Sequence, residues 1–159
     1  MPRAVENYVL NVAAARRDLT DAKSQPEVSL SGLQSHAMYL VDGNNVMGQR
    51  VGWHRDKPAA ERRLLLELAD MTRQLNVAVT VVFDGKPLDG VNDGSDSDGV
   101  KVYFARPGSN ADERIVELAR DAADSEQILA VTSDRQLIDR LKQLGLETMR
   151  SGRFRKLLE

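Results

Sequence analysis

Four aspartates in this 159-residue chain stand where a regular element ends or begins: Asp42 in YLVDGNNVMG, Asp84 in VVFDG, Asp112 in SNADERI and Asp134 in AVTSDRQL. Carboxylates gathered at neutral pH repel and desolvate one another, and a hard cation such as Mg²⁺ or Mn²⁺ offsets that cost by accepting their oxygens. Such a cation can polarise a phosphodiester oxygen and activate water, and paired ions roughly 3.5–4 Å apart do so in many nucleases. The matching reaction class is phosphodiester hydrolysis. Taken singly, each aspartate reads equally well as a turn residue or a helix cap. Asp42 has the stronger case, because Asn44 and Asn45 exceed what a turn needs and their amides can orient a carboxylate or bind phosphate oxygens.

The rest of the composition narrows the chemistry further. Cysteine is absent, which removes disulfides, thiolate nucleophiles and cysteine-based zinc sites. The two histidines, His36 and His54, do not form a metal-ligand pair such as HExxH, so a histidine-centred zinc site is not expected. No run approaches the roughly 20 apolar residues that span a bilayer, and the first residues lack a signal-peptide pattern. A soluble, cytoplasmic protein is the expectation. A net charge of -2 argues against a generically basic nucleic-acid coat, so RNA binding must use local patches.

The elements that position the four aspartates follow from periodicity. MYLVD, from Met38, is a short apolar run that stops at Asp-Gly, as a buried strand does on leaving a sheet. Lys57-Pro58 opens a helix with Leu64, Leu68, Met71 and Leu75 on one face. Residues 77–83 (VAVTVVF) read as a central parallel strand that also ends in Asp-Gly. Lys101 to Ala105 makes a third strand, and Ser109 and Asn110 cap a helix to about Asp124 with Ile115, Val116, Ala119 and Ala123 inward. ILAV (128–131) is a fourth strand. A helix follows with Leu137, Ile138, Leu141 and Leu144 inward and Gly145 at its end, then a short strand over 147–149. This alternation predicts a mainly parallel α/β sandwich. Ligand sites in such sheets collect beyond the C-terminal strand ends, where Asp42, Asp84 and Asp134 fall, with Asp112 at a nearby helix start.

Residues 1–37 differ in character. Val5, Tyr8, Val9, Val12 and Leu19 suggest a short amphipathic helix that docks on the domain or on a partner, followed by the linker SQPEVSLSGLQSHA. DGVNDGSDSDG, from Asp89 to Gly99, reads as a mobile, solvated insertion between strands. It fails the EF-hand pattern, because Gly94 takes the first ligand place. Lys86, Lys101, Arg106 and Arg135 could border the acidic site and hold phosphates. The tail MRSGRFRKLLE offers Arg150, Arg153 and Arg155 with Phe154 as a stacking ring, or else a helix with Phe154, Leu157 and Leu158 on the core and its arginines in water. Trp53, beside His54, reads as a base platform or as a lid on the core.

Five ordered pieces, YLVDGNNVMG, VVFDG, VYFARPGSNADERI, AVTSDRQL and MRSGRF, resemble the NYN family of PIN-like nucleases, and within it the YacP-like branch, from Met38 to Glu159. The resemblance implies a PIN-like three-layer α/β/α sandwich with a mainly parallel central sheet. It also implies divalent-metal-dependent endoribonuclease activity and a role in mRNA cleavage associated with translating ribosomes. Matched by motif, Asp42 and Asn45 take the first-strand acidic site, Asp112 the helix-start acid and Asp134 the acid of TSD. Asp84 matches the acid after the second long strand.

The expected function is therefore a metal-dependent endoribonuclease using Mg²⁺ or Mn²⁺. Asp42, Asp112 and Asp134 hold the metal, Asp84 supports it or binds a second ion, Asn45 orients substrate or carboxylate, and RNA is the partner. Three rivals remain: a PIN-like module that binds RNA or a ribosomal surface without cutting, a PIN-type toxin regulated by residues 1–37, and a haloacid-dehalogenase-type phosphatase. The last needs DxDx[TV], and Asn44 stands where its second aspartate belongs.

Overall fold

A computed structural model describes residues 36–122 and 127–159. The helix and most of the linker expected in the N-terminal segment lie outside the described residues, as does Ala123. Ala37 already continues the central strand at its N-terminal end: its N–H donates to the Gln127 carbonyl (2.8 Å) and its own carbonyl accepts from the Ala78 N–H (3.3 Å).

Six strands form one sheet in the order β3-β4-β2-β1-β5-β6: β1 Met38–Asp42, β2 Ala78–Phe83, β3 Ser95–Ser97, β4 Val100–Phe104, β5 Ile128–Val131 and β6 Glu147–Met149. All neighbours run parallel except β3, which pairs antiparallel with β4. The continuous apolar runs of β1, β2 and β5 follow from burial on both faces. Tyr39 and Val41 point into one core layer with Val79, Val81, Phe83 and Leu129, while Leu40 points into the other with Val82 and Ala130.

Helices α1 Gly43–Met47, α2 Lys57–Leu75 and α5 Ser151–Leu157 cover the first face. α3 Ala111–Asp121 and α4 Arg135–Gln143 cover the second. The result is a three-layer α/β/α sandwich. In α2, Leu64, Leu65, Leu68, Ala69 and Met71 are buried, each large side chain contributing roughly 1.5–3 kcal/mol through burial. Asp56 caps this helix by accepting from the Ala59 N–H (3.1 Å), and Asn76 ends it in the left-handed region at φ 54°.

Two local features differ from the sequence expectation. Residues 43–47, to which the sequence reading assigns no element, form the short helix α1, capped where the Asp42 carboxylate accepts from the Asn45 N–H (3.4 Å). Gly43 is required there, since a Cβ would stand 2.6 Å from the Phe83 ring. The insertion at 89–99 is a built hairpin containing β3. Gly94 N–H donates to the Val102 carbonyl (2.7 Å), Asp93 accepts from the Phe104 N–H (2.8 Å), and Asp96 accepts from the Gly99 N–H (2.8 Å). Its Ser- and Asp-rich composition masks strand pairing that only β4 supplies. Among the described residues, no helix is long and apolar enough to cross a membrane.

Candidate functional site

Asp42 ends β1 between its two parallel neighbours, β2 and β5. Asp84 lies just beyond β2, Asp134 just beyond β5 as the cap of α4, and Asp112 in the first turn of α3. Parallel strands bring their C-terminal ends to one edge of the sheet, so three of these residues share that edge by topology alone.

The Asp42 carboxyl is 5% exposed and is pushed up to about 6. Burial is the main cause. The Thr132 hydroxyl opposes the shift by donating to Oδ2 (2.9 Å), while the negative charges of Asp112 and Asp134 add to it. The Asp112 carboxyl is also raised, first by burial and then by Asp134 and Asp84. The four aspartates are therefore linked electrostatically, Asp42 to Asp112 and Asp134, and Asp112 in turn to Asp84. Among the described residues, none of the four has a salt-bridge partner. Arg140, the cation that most relieves Asp112, is held on Glu113 by two hydrogen bonds of 2.7 and 3.1 Å.

The two asparagines brace the loops that carry these acids. The Asn44 Oδ1 accepts from the Asp84 N–H (2.8 Å), which ties α1 to the turn after β2. The Asn45 Oδ1 accepts from the Ser133 N–H (2.8 Å) and the Ser151 hydroxyl (2.6 Å), joining α1 to the β5–α4 loop and to α5. With that oxygen committed, only the Asn45 amide nitrogen is available to act on a phosphate. Asp134 has two structural bonds: it accepts from the Leu137 N–H (3.0 Å), and its own N–H donates to the Thr132 hydroxyl (3.2 Å).

A cavity of about 470 Å³ opens beside Asp84, walled by Lys86, Phe104, Arg106 and Arg114 among others. Arg114 is buried, lies 5.0 Å over the Tyr103 ring and donates to Asp93 (3.1 Å), leaving its Nε without a hydrogen-bond partner. Lys57, from the start of α2, donates to the Asp84 carbonyl (2.8 Å) and fixes that turn from behind.

The expected RNA contacts are distributed unevenly. Lys86 is exposed at the cavity mouth and Arg135 is exposed directly after Asp134. Arg106 is on the cavity wall but donates twice to Glu117 (3.0 and 2.6 Å). Arg150 is exposed at the start of α5 and Arg153 is half-buried within it. Arg155 departs from both sequence expectations. It is neither on a basic tail nor in water, but is buried in α5 and donates to Glu67 (2.7 Å), because Phe154 and Leu157 draw the helix onto the core.

Among the described residues, no three His, Asp or Glu side chains form a ready-made metal cage. The donor set nevertheless suits a hard cation: it consists of carboxylate oxygens and has excess negative charge, the amide oxygens of Asn44 and Asn45 being committed to the loops. Mg²⁺ in particular keeps most of its own water and takes few protein ligands. Asp42 and Asp112, the two carboxyls raised first by burial and then by neighbouring carboxylates, are the groups that would hold it.

The sequence profile of the YacP-like NYN domain matches residues 39–159. The chain belongs to the YacP-like NYN family. NYN domains are generally nucleases, and their PIN-like fold is the sandwich described above. A crystal structure of Rae1 (YacP) from Bacillus subtilis matches with 25% identity and a TM-score of 0.62, covering 76% of this chain and 74% of that one; it is of a tryptophan-to-leucine mutant. A second Rae1 (YacP) structure from the same organism matches with 26% identity and the same TM-score, over 74% and 70%. No curated protein matches the chain.

Sequence reasoning missed Thr132, Ser151, Lys57 and Arg114. Thr132 and Ser151 carried a faint signal, as buried hydroxyls flanking the TSD and RSG pieces. Lys57 and Arg114 carried none, since a lysine at a helix start and an arginine in a helix face are ordinarily solvated.

Proposed function

We propose that this NYN domain is a divalent-metal-dependent endoribonuclease with its centre at Asp42, Asp112 and Asp134, and Asp84 at the rim. The observation that carries the reading is the convergence of four aspartates from four separate elements, none of them in an ion pair among the described residues, with Arg140 relieving Asp112 only from its seat on Glu113. A bound Mg²⁺ or Mn²⁺ would supply Lewis-acid polarisation of the phosphodiester and would lower the pKa of water.

The chain's own residues have distinct tasks in this reading. Thr132 holds the Asp42 carboxylate in one rotamer, and Asn45 keeps the Ser133 loop and α5 at fixed distance from it. Asp134 is oriented through its cap on α4. Lys86, Arg106 and Arg114 line the cavity running away from Asp84 and would hold RNA phosphates as the strand leaves the acidic edge. Lys86 is the contact with fewest competing partners, because Arg106 and Arg114 must share their charge with Glu117 and Asp93. Translation-linked mRNA is the substrate that the family resemblance implies.

The test is cleavage of a labelled RNA by the purified chain and by an Asp42→Asn form, with Mg²⁺, with Mn²⁺ and with chelator. The expected result is metal-dependent cleavage by the first and none by the second. Equal cleavage in both, or cleavage unaffected by chelator, contradicts the assignment. RNA bound by both and cut by neither favours a non-catalytic binding module.

A further inference from the structure

A second charged site lies on the opposite side of α1, and its imbalance has the other sign. Glu67 on α2 is the shared acceptor of three guanidinium groups: Arg155 Nη1 at 2.7 Å, Arg50 Nη2 at 3.4 Å and Arg63 Nε at 3.7 Å. These residues, with Trp53 and Arg55, wall a cavity of about 270 Å³ between the single 3-10 turn Trp53–Asp56, α2 and α5. Arg155 is 5% exposed, yet its Nε and Nη2 have no hydrogen-bond partner. A buried guanidinium with two unmet donors is destabilising unless a partner arrives.

The local charge does not close. Four arginines in the wall face two carboxylates, Asp56 and Glu67, leaving two positive charges in excess. Asp56 is occupied as the cap of α2, and Glu159, near enough to oppose ionisation of Glu67, removes at most one of the two. Guanidinium forks match phosphate oxygens two at a time, and the indole beside them offers an apolar face on which a base stacks. The cavity lies just below the usual range for ligand sites, roughly 300–1,000 Å³, which suits one nucleotide at most rather than a folded partner.

We propose that this cavity binds one nucleotide unit, its phosphate on Arg50, Arg63 and Arg155 and its base against Trp53. The unit is a free nucleotide or one residue of an RNA strand. α1, about 8 Å long at 1.5 Å per residue, starts at its cap Asp42 and ends at Met47 in the wall of this cavity, so the two sites adjoin opposite ends of one short helix. The strand version rests on the nuclease reading of the acidic edge, whereas nucleotide binding itself does not.

Trp53 is the sole tryptophan of the chain, so indole fluorescence, excited beyond the tyrosine absorption band, reports on this cavity. The experiment titrates the full chain, in chelator, with adenosine 5′-monophosphate, adenosine and a short RNA, the last with the Asp42→Asn form. Saturable fluorescence change is expected with the monophosphate, and binding at least about tenfold weaker with adenosine, as the loss of one charge-assisted contact requires. Arg63→Ser, at a largely exposed position that the fold tolerates, is expected to weaken monophosphate binding by a similar factor. Tighter binding of RNA than of monophosphate assigns the unit to a strand, and the reverse assigns it to a free nucleotide. The proposal is overturned by no saturable change with the monophosphate or the RNA, by equal binding of adenosine and the monophosphate, or by equal binding in Arg63→Ser. Because metal and cleavage play no part in this readout, its failure leaves the RNA-cleavage assay of the Asp42 centre to stand or fall separately.

Discussion

The two sides of α1 present opposite electrostatic problems. At the sheet edge, Asp42, Asp84, Asp112 and Asp134 face one another with no cation paired to any of them among the described residues. Behind α1, three arginines share the one carboxylate of Glu67. Ordinary stabilising ion pairs balance, as Arg140 with Glu113 and Arg106 with Glu117 do on the same domain. Unbalanced clusters lower stability in the free protein, and the two proposals supply the counter-charge each lacks: a cation at the edge and an anion behind it. Asn44 and Asn45 stand between the two, which makes α1 the element through which either site constrains the other.

The comparison breaks most sharply at Asp42. Asp42→Asn is expected to cut RNA cleavage on the order of 10³-fold, as removal of one transition-state electrostatic contact does. The same change should make the protein more stable at neutral pH. The folded carboxyl titrates at about 6, against an ordinary 3.8 in the unfolded chain, so the folded state binds more protons between those values. Stability therefore falls as pH rises from about 4 to 6, and above that range the ionised carboxylate costs up to about 3 kcal/mol. Denaturant melts of both forms at pH 4 and pH 7.5 check this, the expected gain for Asn being confined to the higher pH.

Glu67→Gln is the mirror experiment. Burial raises the Glu67 carboxyl as it raises that of Asp42, which favours loss of its charge, but Glu67→Gln also leaves the buried Arg155 without its anionic partner. This second effect is expected to win, with a net destabilisation of about 3 kcal/mol at most and part of the loss restored by inorganic phosphate in a thermal melt. At Asp42 the loss of charge stabilises, and at Glu67 it destabilises. Like signs of change at both positions would remove the contrast.

Asn45→Ala probes the brace between them. Two acceptor interactions disappear, leaving the Ser133 N–H and the Ser151 hydroxyl unmet, for about 2 kcal/mol in stability and a 10–100-fold loss of cleavage through misplaced loops. The smallest effect belongs to Thr132→Val, expected to cost about 1 kcal/mol. Without the Thr132 donor the Asp42 carboxyl rises further, and the acidic limb of the pH–rate profile moves to higher pH.

The strands were legible because burial on both faces leaves little room for ambiguity: VAVTVVF and ILAV can hardly be anything else between two helical layers. The convergence of Asp42, Asp84 and Asp134 was legible for the same reason, since parallel topology dictates where strand ends meet. α1 was not, because five residues carry too little periodicity and its helix depends on the Asp42 cap and on Gly43 against Phe83. The hairpin at 89–99 was hidden because a strand of Ser, Asp and Ser has no intrinsic preference and exists through β4. Arg155 was misplaced since its neighbours Phe154 and Leu157 decide its burial, and no local pattern places Glu67 opposite it.

Thermal melting of the purified chain against increasing MnCl₂, at pH 7.5 and at pH 5, tests the acidic edge most directly, with Asp42→Asn alongside. A saturable rise in melting temperature at pH 7.5, much reduced at pH 5 where Asp42 holds its proton, and absent in Asp42→Asn, is the predicted result. An identical rise in both proteins, or no rise in either, would contradict a cation site built on Asp42.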